Sequence, residues 1–383
     1  MRRLRIDITI VLGFVMMLFL CSNALAMKLL TPKIGWTLTE KGLYWTTNAG
    51  NTWQNITPQS ASAGNIAAVF FLNASQGWVV CCDTSGKHKR FNLATTNDSG
   101  AHWLISPLKT PTSVVALENK RDAQAKIRGE TQPEVMEGMG WIDFIDPNQG
   151  WILLEVDIIS RLGIISGILL QTTDGGKTWK EVNVDLPTAG HFNFVTTKDG
   201  WMTSHINAVL YVTHNGGNTW KEMTLEPPPS ISTEGGMYDI PIFKDSQNGF
   251  LPVTYVTENL PSLVLFTTHD GGKTWKADRV LPDMKDIANV YPSTVVDSVL
   301  ITIAASESDR SLTLIKVFPG GKTVETETNA LDIKGNLTPR SLYFGAGWHL
   351  SFINNNQGWV STYTNQLLST TDGGTTWTVI TPQ

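Results

Sequence analysis

The side chains with most chemistry to offer are five carboxylates outside the repeated segments described below: Asp143, Glu155, Asp157, Glu234 and Asp239. Two of them held about 5 to 9.5 Å apart could serve as acid and base, or acid and nucleophile, at a glycosidic bond. Linear order does not fix that spacing, and acidic loop residues are usually solvated. They therefore define the alternative reading, a glycoside hydrolase or lyase. The seven histidines include no close pair at metal-ligand spacing, and His102, His214 and His269 fall inside repeated turns. No metal site is expected. No glycine-rich loop followed by Lys-Ser/Thr stands outside the repeats, so neither a nucleotide nor any other cofactor is expected. Cys81 and Cys82 are adjacent and cannot staple distant elements; they form either a vicinal disulfide or two free thiols. Trp141 and Trp348 belong to no repeated class and are candidates for stacking on a ligand, with packing under loops as the alternative.

The elements that must position these residues are written in a repeat. The strings beginning at Thr46, Thr96, Thr172, Thr213, Thr268 and Thr370 share the template Thr-x-Asp/Asn-x-Gly-x-x-Trp. Its polar position is Asn48, Asp98, Asp174, Asn215, Asp270 or Asp372, and its last residue is Trp53, Trp103, Trp179, Trp220, Trp275 or Trp377. A second pattern precedes most boxes, an aromatic residue six positions before Gly-Trp or Gly-Phe. Phe71 leads to Gly77, Phe144 to Gly150, Phe194 to Gly200, Phe243 to Gly249 and Phe352 to Gly358. Leu29 and Gly35 fit at the front, and Tyr291 with Asp297-Ser298 reads as an eroded copy. That makes seven units of about 51 residues. Each reads as four strands, A to D: the aromatic in A, Gly-Trp opening B, and the box as the C to D hairpin. One meander of this size cannot bury both faces, so the units must stack radially. The expected fold is all-β, a seven-bladed propeller of four-stranded antiparallel blades. Six blades is the alternative, because the sixth unit lacks its box.

The box resembles the Asp-box, or bacterial neuraminidase repeat. Together with the Gly-Trp element and seven units in one chain, it resembles most the photosystem II stability and assembly factor family. That resemblance implies a non-catalytic propeller that assists a membrane-protein complex, and it implies that the boxes are peripheral turns rather than active sites. One carboxylate per turn also supplies too few oxygens for calcium. The sialidase string Phe/Tyr-Arg-Ile-Pro is absent; Tyr238-Asp239-Ile240-Pro241 is its nearest match, with aspartate where arginine is needed. The leading function is therefore a scaffold with a protein partner, and a glycan remains the alternative ligand.

Hairpin order places A to B turns and boxes on one face, and B to C loops and D to A connections on the other. The connection from Trp103 to Phe144 covers 41 positions against 15 from Trp179 to Phe194, so an insertion near 104–140 is expected there. Its polar centre, Glu118 to Glu134, reads as a mobile flap or short helix. The arginines beyond the leader, Arg90, Arg121, Arg128, Arg161, Arg279, Arg310 and Arg340, all fall in or near that second class of connection. With the exception of Arg279, they are the candidate docking residues, on a surface of mixed charge.

Residues 1–26 read as a signal peptide: three arginines, an apolar stretch from Ile8 to Leu20, then Ala24-Leu25-Ala26. Export and a propeller domain over 27–383 follow as expectations, with an uncleaved anchor as the alternative. Removing Arg2, Arg3, Arg5 and Asp7 takes the net charge from −5 to −7, which disfavours nucleic acid as a partner.

Overall fold

The computed structural model describes residues 26–59, 61, 63–86, 88–129, 136–159, 164–183, 186–204, 209–231, 236–257, 260–281, 287–290, 293–306, 312–318, 323–327, 349–361 and 366–382. They form seven antiparallel meanders, each built from one contiguous segment. Blade 3 shows the pattern: Met136–Phe144, Gly150–Ile159, Ile164–Thr172 and Lys180–Asn183 are its strands A to D. The expected seven-bladed propeller is the observed fold. In blade 5, strand A is broken into Gly236–Tyr238 and Ile242–Phe243, with Pro241 at the break. Proline offers no N–H to continue the ladder.

The constant offset of six has a steric cause. Each leading aromatic pairs across the ladder with its glycine: Phe71 with Gly77, Phe144 with Gly150, Phe194 with Gly200, Phe243 with Gly249, Phe352 with Gly358. The ring lies over the bare Cα, and a Cβ on Gly150 would stand 2.5 Å from the Phe144 ring. The tryptophan after the glycine then reaches the next blade. Trp78 stacks on Phe144 and Trp151 on Phe194, both with centroids 3.8 Å apart, and Trp201 tilts onto Phe243 at 4.6 Å. The box tryptophan of the same blade meets the same phenylalanine edge-on, Phe144 with Trp179 at 6.2 Å and Phe194 with Trp220 at 6.1 Å. Phe71, Phe144, Phe194 and Phe243 are thus each held by indoles from their own blade and from the blade before, whereas Phe352 meets Trp377 of its own blade and Lys316 of blade 6; the repeat is an interblade ladder.

The boxes close their hairpins with side-chain hydrogen bonds. Thr172 Oγ1 donates to Asp174 Oδ1 (2.8 Å) and accepts from Gly176 N (2.9 Å), while Asp174 accepts from Thr178 N (2.9 Å) and Thr178 Oγ1 (2.6 Å). The boxes at Asp270 and Asp372 repeat this pattern, and His102 replaces the last threonine beside Asp98. A backbone N–H of each box also reaches the A to B turn of its blade, as Gly175 N to Asn148 O and Gly216 N to Lys198 O. Both hairpins therefore lie on one face of the ring.

These bonds set an acid limit on stability. The side-chain bond from the residue four positions on, helped by its N–H, holds Asp98, Asp174, Asp270 and Asp372 down at about 2. Because the folded values lie below the unfolded one of 3.8, this stabilisation is complete above about pH 4 and is lost as pH falls towards 2. Burial holds Asp143 and Asp239 up at about 6, so their contribution has the opposite sign and is lost as pH rises through 6. Urea midpoints are expected to be higher at about pH 4.5 than at about pH 2.5, and Asp174→Asn should flatten that difference.

The ring closes by packing, without strand exchange. Blade 1 opens with Met27–Leu29 as strand A. Leu29 N donates to Ser351 Oγ of blade 7 (3.1 Å), and Trp53 Nε1 donates to Ile380 O (2.7 Å). Leu29 carries no ring for Trp359 to meet, so Trp359 packs over Gly35 and against Trp53 at 5.6 Å. Blade 6 departs from the expected offset. Its inner strand is described as Ile287–Val290 and Thr294–Val296, and Asp297 and Ser298, both at positive φ, form a two-residue turn into Val299. They are the turn and not the start of strand B; Tyr291 lies outside the described residues.

Candidate functional site

The inner strands bring several polar groups to the central channel, and most are tied to the neighbouring blade. In blades 3, 4 and 7 the residue before the leading aromatic reaches sideways: Asp143 Oδ2 accepts from Phe194 N (2.9 Å), Asn193 Nδ2 donates to Pro241 O (2.7 Å), and Ser351 Oγ takes the Leu29 bond described above. Asp239 Oδ2 accepts from Ser293 N at 3.4 Å. Burial raises both carboxyls, opposed at Asp143 by the Phe194 N–H and the charge of Lys28, and at Asp239 by the Ser293 N–H. They stand on blades 3 and 5, with blade 4 between them. Burial and then the charge of His191 push His349 down to about 4, so it is neutral at neutral pH. Trp141, on strand A of blade 3, packs edge-on against His191 of the blade 4 entry at 5.9 Å. It is a half-buried wedge between two blades.

The opposite face from the boxes carries the helix Thr112–Arg128, named α1, in the connection from Leu108 to Met136. Three contacts seat it. At its start no side chain of its own caps the helix; instead Glu181 of blade 3 accepts from Thr112 N, Thr112 Oγ1 (2.9 Å) and Ser113 Oγ (3.0 Å). Burial opposes ionisation of Glu181, but those bonds outweigh it and leave its pKa lowered. Within the first turn, Val114 enters the core shared by blades 2 and 3. Beyond it, Arg90 of blade 2 grips Glu118 with both terminal nitrogens, at 2.7 and 3.0 Å, and His88 lies 3.7 Å from Glu118 and 3.5 Å from Asp122. Gly129, in the left-handed conformation, ends the helix.

This geometry revises the role of Arg90. The sequence reading offered it as a docking residue, yet its guanidinium is engaged by a carboxylate that is only 6% exposed. Removing it strands that charge. Arg90→Ala is expected to cost about 1 to 3 kcal/mol, discounted because the arginine itself is 40% exposed. Faster amide exchange in α1 than elsewhere would check it; unchanged exchange there would refute the clamp.

The remaining candidates scatter. Arg121 is half-buried and Arg128 exposed, both on α1. Arg279 departs from the one-face expectation: it is buried, and its guanidinium donates to Ser298 O and Val317 O (both 2.8 Å), at the box end of blade 6. Glu155 is buried mid-strand in blade 3, opposite Gly167. Arg161, Arg310, Arg340, Trp348 and Glu234, and the side chain of Asp157, lie outside the described residues. Cys81 and Cys82 are free thiols buried in different core clusters, as alternation along a strand requires. Burial, then the neighbouring Cys82, pushes the Cys81 thiol up to about 12. Sequence reasoning missed the Glu118–Asp122 pair; an acidic i, i+4 pair opposite the basic run 87–90 was the available signal. It also passed over Lys28, for which strand A of blade 1 offered no motif.

The family model described as photosynthesis system II assembly factor YCF48 matches residues 126–230, from the end of α1 through blades 3 and 4. A structure of YCF48 bound to D1 peptide superposes over 91% of this chain and 92% of its own, with TM-score 0.53 at 13% identity. The chain is an Asp-box propeller that resembles the photosystem II assembly-factor family. The GH74 xyloglucanase of Xanthomonas campestris superposes over 94% of this chain but 56% of its own (TM-score 0.55, 12% identity), and a prolyl endopeptidase over 94% and 50% (TM-score 0.52, 10% identity). At such identities these likenesses establish the fold. No curated protein sequence matches the chain.

Proposed function

We propose that this propeller is an exported, non-catalytic scaffold that docks on a protein, with α1 as the docking element and a membrane-protein complex as the partner. The observation that carries this reading is the seating of α1. Its acidic residues Glu118 and Asp122 turn inward to Arg90 and His88, leaving Lys120, Lys126, Arg128 and an 85% exposed Ile127 outward. A basic strip around one exposed apolar side chain fits an acidic protein segment with an apolar anchor. The likeness to YCF48, solved with a D1 peptide, supports a protein ligand.

One observation favours the second reading, a glycan hydrolase or lyase: carboxyls held at about 6 suit general acids near neutral pH. Against it, each already accepts an N–H from the next blade. Export is compatible with blade 1, since cleavage after Ala26 leaves the Met27–Leu29 pairing intact; among the described residues it removes Ala26, whose carbonyl accepts from Leu38 N and Thr37 Oγ1 and whose side chain packs against the core of blades 1 and 2. Mass spectrometry of the protein from its own cells should find Met27 first.

The test uses immobilised full-length chain and solubilised native membranes, beside assays on polysaccharides and fluorogenic glycosides. Expected is retention of a membrane protein that the Lys126→Glu/Arg128→Glu variant fails to retain, with no turnover of any glycan. Turnover that Asp143→Asn abolishes, or equal retention by the variant, would overturn the reading.

A further inference from the structure

At the box end of the channel lies a cavity of about 510 Å³ whose lining includes Lys28, Leu30, Leu72, Leu350, Ser351 and Ile353. That volume suits a small ligand. The lining is layered by the strand period. Leu30, Leu72 and Ile353 each follow a leading position, and each donates its N–H across the A to B turn, to Ile34, Gln76 and Gln357. They form an apolar rim. Two residues further in on the same strand faces stand Lys28 in blade 1 and Ser351 in blade 7.

Lys28 is the unusual member. Among the described residues its ammonium makes no hydrogen bond or ion pair; Nζ lies 5.4 Å above the Phe70 ring, and Asp143 acts on it from blade 3 without contact. Ser351 Oγ is already used by Leu29 N. Lys28 is exposed at the channel mouth, and with no carboxylate in contact among the described residues its charge is open to an anion, while the leucines and isoleucine beside it ask for an apolar body.

The geometry points to a binding site for a small amphiphilic carboxylate at this end of the channel, its carboxylate on Lys28 and its apolar portion between Leu30, Leu72 and Ile353. The site is independent of the docking role of α1 and lies on the other face of the ring. Both a fatty acid and a free peptide terminus with an apolar last residue carry this chemistry.

The experiment is calorimetric titration of the full chain with decanoate, with decanol of equal length, and with a heptapeptide ending in leucine as the free acid and as the amide. Expected is saturable one-to-one binding of at least one acid, about tenfold or more tighter than its uncharged counterpart. Lys28→Gln should weaken the acid about tenfold and leave the uncharged compound unchanged, while Leu72→Arg should block entry, both with an unaltered near-ultraviolet spectrum. Binding by decanoate alone identifies a lipid source, and binding by the peptide acid alone identifies a chain terminus. Equal affinity for acid and uncharged forms, no binding by either acid, or an unchanged Lys28→Gln titration would overturn the proposal. The Lys126→Glu/Arg128→Glu variant should bind the acid as the parent does, which separates this site from the docking surface.

Discussion

Replacing Trp151 with alanine is expected to destabilise the protein by roughly 3 to 5 kcal/mol, read as a fall in the urea midpoint. Its ring is 0% exposed and stacked at 3.8 Å on Phe194 of the next blade, so its removal empties space that two blades share. Trp179→Ala should cost less. That indole is only half-buried and its Nε1–H turns back to Gly176 O of its own box. The order matters more than either value: if Trp179→Ala proves the costlier change, the box tryptophans and not the Gly-Trp tryptophans hold the ring together.

The second large effect comes from adding a single carbon. Gly150→Ala is expected to cost about 1 to 3 kcal/mol or more, because the new Cβ would stand 2.5 Å from Phe144, which stacking by Trp78 and edge contact with Trp179 prevent from moving. Gly150 does not occupy the left-handed region, so the cost is packing and not backbone strain. Combining Gly150→Ala with Phe144→Leu should therefore recover part of the loss. A double variant that loses the sum of the two single changes would show that the ring does not rest on that glycine.

These two residues also explain what the sequence made legible. The offset of six is a cross-strand pairing, so it recurs wherever a phenylalanine covers a glycine, and the ladder could be counted without coordinates. Blade 6 was legible only as a gap, because a two-residue turn at Asp297–Ser298 replaces the longer A to B turn and removes the offset itself. The site was harder to read, since its contacts cross blades. Arg90 looked like one more loop arginine until Glu118, 28 residues away, was seen between its two terminal nitrogens. Lys28 acquires meaning only when blades 1, 2, 6 and 7 meet around one cavity, a juxtaposition created by ring closure and not encoded in any local spacing.

The central functional claim is that a protein partner docks through α1. Placing the photo-crosslinker p-benzoylphenylalanine at Ile127, and in a parallel protein at Val379, tests it directly, since both positions are exposed apolar side chains, one on α1 and one on strand D of blade 7. The account predicts that irradiation with solubilised membranes joins a membrane-complex subunit to position 127 and not to position 379. Crosslinking from position 379 alone, or equally from both, would contradict it.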